Sequence, residues 1–139
     1  MMRKEHTVNF VSIRLITNNV DELVHFYEQI TGLSLVRSTA DFAELKTPSC
    51  TLAISSTRAM EAFGAGAAHP ADNHTVIIEF RVDDVDKEYE KLKNLVSDVV
   101  KEPTTQPWGN RSLLFRDPDG NLINFFTPVS PDAIKKFDQ

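Results

Sequence analysis

PWGNRSLLFRDPDGNLINFFTP, residues 107–128, reads as two apolar, strand-forming runs on either side of a DPDG turn. Pro118 fixes φ, Asp119 can bond its own backbone and Gly120 tolerates positive φ, which predicts a tight turn. The flanking runs, near Arg111–Arg116 and Asn121–Pro128, are then neighbouring strands. One residue breaks the apolar pattern: Asn124 is an amide among Leu122, Ile123, Phe125 and Phe126. It is either a blunt spot on a buried strand or the remnant of a chemical site.

Working outward, the stretch has a weaker echo in the first half of the chain. TPSCTLAI (47–54) resembles DPDGNLIN (117–124) at an offset of 70 or 71, and Asn19-Val20-Asp21 matches Asp84-Val85-Asp86 at an offset of 65. An internal repeat governs the reading of everything else. In the first unit, 8–17 reads as a strand, with Val11, Ile13 and Leu15 on one face and Ser12 and Arg14 on the other. Asn18 or Asn19 caps a helix with the stripe Val20, Leu23, Val24, Tyr27 and Ile30, and Gly32 ends it. Strands follow at 33–38, 42–46 and 50–55. In the second unit, 75–82 is a strand, with Val76, Ile78, Phe80 and Val82 opposite Ile77, Glu79 and Arg81. Asp83 or Asp84 caps a helix carrying Val85, Tyr89, Leu92 and Leu95 or Val96, and a strand near 99–103 precedes the opening stretch. Each unit is β-α-β-β-β, and one such unit cannot cover both faces of its own sheet.

The chain is read as one domain, 1–139: module one at about 8–55, a connection at 56–74, module two at about 75–128 and a tail at 129–139. The connection, rich in Ala and Gly, reads as a flap with one helical turn near 58–63. The net charge of −5 and the scatter of the 15 basic residues argue against nucleic acid. No run approaches about 18 consecutive apolar residues, so no membrane span is expected, and the charged N-terminal MMRKEHTVNF lacks a signal-peptide core. The single cysteine, Cys50, fits a reducing cytoplasm and reads as a buried structural thiol rather than a nucleophile.

Three stretches, NNVDELVHFYEQITGLSL, VIIEFRVDDVDKEYEKL and the opening one, resemble the vicinal oxygen chelate superfamily: glyoxalase I, bleomycin-resistance proteins and extradiol dioxygenases. The resemblance implies an α+β fold of paired βαβββ modules. Their curled, mostly antiparallel sheet forms a cup with helices outside and a small ligand within. It also implies a homodimer. Metal-dependent members hold a divalent ion with His, Gln or Glu from the first and last strand of each module. Here those positions carry Ser12, Ile77, Asn124 and either Ala53 or Ile54. Ile and Ala cannot ligate, Ser is a poor ligand and Asn offers one neutral carbonyl.

The expectation is therefore a metal-free, cofactor-free binder of a small organic molecule, such as a sequestered drug or toxin. The alternative is a lyase, isomerase or dioxygenase that uses displaced metal ligands or acid/base chemistry at Glu79. The other histidine-bearing positions do not rescue a metal site: His6 precedes the first strand, His25 lies off the helix stripe, and His69, Asp72 and His74 lie in the connection. The expected ligand-binding set is Ser12, Arg14, Ile77, Glu79, Arg81, Trp108, Arg111 and Asn124. Arg14, Glu79 and Arg81 serve either a ligand or an internal ion-pair cluster. A carboxylate beside arginine makes a poorer base near neutral pH. Trp108 plugs core or caps the cup mouth, beside Arg111. The ligand is then flat in part, with an anionic or strongly polar group.

Overall fold

The computed structural model describes residues 8–138. It contains two open four-stranded mixed sheets and four helices, an α+β fold, and divides into two compact units at Pro70/Ala71.

Unit one runs β1 (Ser12–Thr17), α1 (Val20–Thr31), β2 (Val36–Thr39), β3 (Phe42–Lys46), β4 (Thr51–Ser56) and α2 (Thr57–Gly64). Its sheet order is β1-β4-β3-β2, with β1 and β4 parallel and the other neighbours antiparallel. Asn19 caps α1 by accepting from the Glu22 N–H, and Gly32 stops it at φ 72°. The helix buries Val20, Leu23, Val24, Tyr27 and Ile30, the stripe read from its spacing, against β3 and β4. Leu15, Ala43, Leu45 and Ile54 complete this core.

Unit two repeats the grammar: β5 (Ile77–Arg81), α3 (Val85–Leu92), β6 (Val99–Thr105), β7 (Asn110–Arg116), β8 (Leu122–Pro128) and α4 (Pro131–Phe137). The order is β5-β8-β7-β6, with β5 and β8 parallel. Asp84 caps α3. Ile78, Leu113, Phe115, Ile123 and Phe125 form the buried row on the face that carries α3.

Several local expectations need correction. The first strand starts at Ser12, because its partner β4 starts at Thr51; Val8, Phe10 and Val11 are exposed. Val76 precedes β5 and is exposed; its backbone N–H and carbonyl are both bonded by the Asn73 side chain. Cys50 is exposed in the turn before β4, held where Thr47 bonds its backbone, so it is not a core thiol. Leu95 is exposed while Val96 is buried. The connection holds a full helix, α2, because Ser56 accepts from the Ala59 N–H as an N-cap and Met60 is buried. In the DPDG turn Gly120 has φ 85°, as its role requires, but Asp117 and not Asp119 organises the backbone. One Asp117 oxygen accepts the N–H of Asp119 and of Asn121, each at 2.9 Å, and the other accepts the Asn121 side-chain amide at 2.8 Å.

Candidate functional site

Strand parity sorts the expected residues. In unit two, Ile77, Glu79 and Arg81 alternate with the buried Ile78, so they share the face away from α3. The β5–β8 register sets Ile77 beside Leu122, Glu79 beside Asn124 and Arg81 beside Phe126. The Asn124 amide donates to the Glu79 carboxylate at 2.9 Å. That bond fixes the amide's orientation and leaves Oδ1 buried with no hydrogen-bond partner among the described residues. Asn124 is thus neither a blunt spot nor a free amide: its nitrogen holds a carboxylate and its oxygen waits for a donor. Ser112, beside Phe126 in the β7–β8 register, adds a second buried oxygen without a partner among the described residues.

Arg81 does not pair with Glu79. Its guanidinium donates to the Phe137 carbonyl at 2.8 Å and to the Asp138 carboxylate at 2.7 Å, at the end of α4. The Phe137 ring lies 5.1 Å from that of Phe126. The tail therefore covers part of this face, and the ion-pair alternative for Glu79 and Arg81 is not formed among the described residues. Nothing in the local spacing announces a bond between positions 81 and 138.

Arg111 is displaced from the expected set altogether. It shares parity with Leu113 and Phe115 and lies on the α3 face, where Nε bonds Asp86 at 2.9 Å and a second nitrogen bonds it at 3.1 Å. Those hydrogen bonds hold the Arg111 guanidinium above its ordinary pKa. An open groove of about 500 Å³ runs here past Asp86, Tyr89, Glu90 and Glu102. Its lining sets four acids, Asp84, Asp86, Glu90 and Glu102, against Lys87 and an Arg111 already paired with Asp86, so it offers an anionic ligand little. Trp108 sits in a turn closed by Gly109 N–H to Gln106 O at 2.9 Å and is 66% exposed. That excludes the core-plug role.

In unit one, β1 and β4 place Ser12 beside Thr51, Arg14 beside Ala53 and Ile16 beside Ser55. Ala53 therefore occupies the place that Asn124 holds in unit two, at the 71-residue offset, and Ile54 belongs to the core row. Arg14 lies against two rings, with its guanidinium carbon 5.0 Å from the centroid of Phe42 and 5.0 Å from that of Phe63. Neither ring entered the sequence reading. Phe42 could have been found from its alternation with Ala43, and Phe63 only by knowing that 57–64 is helical.

The donor set does not fit a transition-metal centre. Unit two's face offers the Glu79 carboxylate and the Asn124 carbonyl, beside Ile77, and unit one's offers Ser12, Ala53 and one carboxylate, Glu44, which lies 3.7 Å from Lys46. Zinc or iron needs several imidazole, thiolate or carboxylate groups. The described residues hold no group of three His, Cys, Asp or Glu side chains able to share an ion. His74 lies 3.9 Å from Asp72, but both are exposed, as are His25 and His69; His6 lies outside the described residues. No helix among the described residues is long and apolar enough to cross a membrane.

Comparison with known proteins gives consistent results. The family model for the Glyoxalase/Bleomycin resistance protein/Dioxygenase superfamily matches residues 6–125. The uncharacterized protein YraH of Bacillus subtilis is 26% identical over 125 residues, covering 86% of this chain and 98% of that one. A crystal structure of a glyoxalase/bleomycin resistance protein/dioxygenase from Nocardioides has a TM-score of 0.72 at 22% identity, covering 92% of this chain and 88% of its own. A glyoxalase/bleomycin resistance protein/dioxygenase family enzyme from Burkholderia phytofirmans has a TM-score of 0.77 at 17% identity, covering 88% and 100%. At these identities the structural likeness bears on the fold alone.

Proposed function

Because the chain belongs to the Glyoxalase/Bleomycin resistance protein/Dioxygenase superfamily, we propose that it is a metal-free binder of a small organic molecule, acting by sequestration of a drug or toxin in the cytoplasm. The observation that carries this reading is the Glu79–Asn124 pair. At the position where the superfamily resemblance expects a metal ligand stands a neutral amide, already bonded to a carboxylate and with its own oxygen unpartnered among the described residues. Such a pair recognises a ligand's N–H or O–H by hydrogen bonding, because a buried acceptor left unsatisfied costs about 1–3 kcal/mol. Sequestration needs only complementary shape, polarity and charge.

Trp108 is the direct reporter, being the only tryptophan. A ligand that stacks on it changes its fluorescence saturably. Trp108→Phe is expected to weaken binding several-fold while leaving the thermal midpoint within about 1–2 °C, since a mostly exposed ring carries little of the folding energy. A large drop in midpoint with unchanged ligand affinity would remove Trp108 from the site.

The same proposal includes pairing of two chains. Each open sheet ends in edge strands, β1 and β2 in one and β5 and β6 in the other, and exposed edges invite pairing. Sedimentation at micromolar concentration is expected to give the mass of two chains; the mass of one chain contradicts it.

One observation favours a second reading, acid/base catalysis at Glu79. Arg81 bonds Asp138, so the one printed donor to the Glu79 carboxylate among the described residues is the Asn124 amide and not an arginine. The two readings separate at Glu79→Gln: an enzyme loses turnover and keeps binding, whereas a binder has no turnover to lose.

A further inference from the structure

We propose that Arg14, Phe42 and Phe63 form a receptor in unit one for a flat organic anion, such as an aromatic carboxylate. This rests on the small-molecule reading above and specifies the chemistry of the ligand. Phe42 comes from β3 and Phe63 from α2, so two elements converge on one cation of β1, each ring centroid 5.0 Å from the guanidinium carbon. Contact with a ring uses none of the guanidinium's N–H donors. Among the described residues Arg14 has no hydrogen bond and no ion pair. The acids of β3 and the turn before it have other partners: Glu44 lies 3.7 Å from Lys46, and Asp41 lies 3.6 Å from Arg58 and accepts from Ser56 Oγ at 2.8 Å. Three other arginines show the contrast with short ion pairs. Arg37 holds Asp21 at 2.6 Å, Arg81 holds Asp138 at 2.7 Å and Arg111 holds Asp86 at 2.9 Å.

An arginine packed against two aromatic rings, with its donors unused among the described residues, suits a carboxylate, which a guanidinium takes through two parallel hydrogen bonds. Phe63 is 72% exposed, an apolar ring with surface left to cover. A flat ligand can lie on that ring while its carboxylate meets Arg14. On the same face Ala53, the register partner of Arg14, adds no bulk, and Ser55, the register partner of Phe42, keeps a buried hydroxyl with no partner among the described residues. Arg14 supplies the charge, Phe63 the stacking surface and Phe42 the fixed position of the cation.

The test uses the full chain labelled with nitrogen-15 and titrated with benzoate, with benzamide as the uncharged isostere. The expected result is saturable benzoate binding that moves the Arg14 Nε–H signal and the amide signals of β1 and α2. Benzamide is expected to bind at least about tenfold more weakly, since it cannot form the charge-assisted pair. Arg14→Gln should weaken benzoate about tenfold or more and Phe63→Ala several-fold, each with the thermal midpoint nearly unchanged, because both side chains are exposed. Absence of saturable benzoate binding, equal affinity for benzamide, or an Arg14→Gln chain that binds benzoate as well as the parent would each overturn the proposal. Those failures leave the metal content of the protein untouched, so they are distinguishable from failure of the functional reading.

Discussion

Phe125→Ala is expected to lower the unfolding free energy of unit two by about 3–5 kcal/mol, the usual cost of emptying a buried aromatic site. Phe125 is 1% exposed and stands on β8, which is flanked on both sides, by β5 and β7. Its ring meets Phe80 at 5.5 Å and Phe115 at 5.1 Å, both in edge-on geometry. Truncation therefore removes the apolar area of one ring and two aromatic contacts worth about 0.5–1.5 kcal/mol each beyond burial. The site cannot collapse easily, because β-ladder bonds on both sides hold the strand in place. Urea titration followed by circular dichroism reads the change. Phe125→Leu should recover more than half of it, and a loss below about 1 kcal/mol for the alanine variant would mean that this ring is not the keystone of the second core.

The second large effect is expected at Gly109. Its φ is 95°, a region where side-chain-bearing residues are strained, and its surroundings have no room for one. A Cβ there would collide with Ser130 Oγ, come within 2.8 Å of Ser130 Cβ and within 3.1 Å of Ala133 Cβ. Ser130 caps α4, and the Gly109 carbonyl accepts the N–H groups of Val129 and Ser130 at 2.9 and 3.1 Å. The turn that presents Trp108 and the start of α4 are thus one joint. Gly109→Ala should cost about 2–4 kcal/mol, combining backbone strain with overpacking. It should also loosen α4, measurable as faster amide exchange at Ile134, whose N–H bonds the Ser130 carbonyl. Adding Ser130→Gly to Gly109→Ala should recover part of the loss; no recovery would assign the whole effect to φ.

The elements were largely legible in the sequence because their determinants are local. The α1 stripe, the Asn19 and Asp84 caps, the Gly32 stop and the strand parities of Ile78 against Glu79 all follow from spacing and residue type. The repeat added the second unit's layout by analogy with the first. Local spacing did not carry the partners of the charged residues. Arg14 at two phenyl rings, Arg81 at the end of α4 and Arg111 at Asp86 are each settled by contacts between distant positions. The same holds for Cys50: its strand-like neighbours suggested burial, but it falls one residue before β4 begins. The DPDG turn shows the limit at its finest grain. Residue type correctly announced a turn with positive φ at Gly120, but whether Asp117 or Asp119 would bond the backbone depended on which carboxylate the folded turn points inward.

The central claim, that this member of the superfamily binds without a metal, is tested most directly by elemental analysis of the purified, untagged protein. With Ser12, Ala53, Ile77 and Asn124 at the decisive strand positions, zinc, iron, nickel and manganese are expected well below one atom per chain. Any trace is expected to vanish in a His69→Ala/His74→Ala chain, since those exposed histidines can scavenge ions. One atom of any of these metals per chain, retained after both histidines are replaced, would contradict the account.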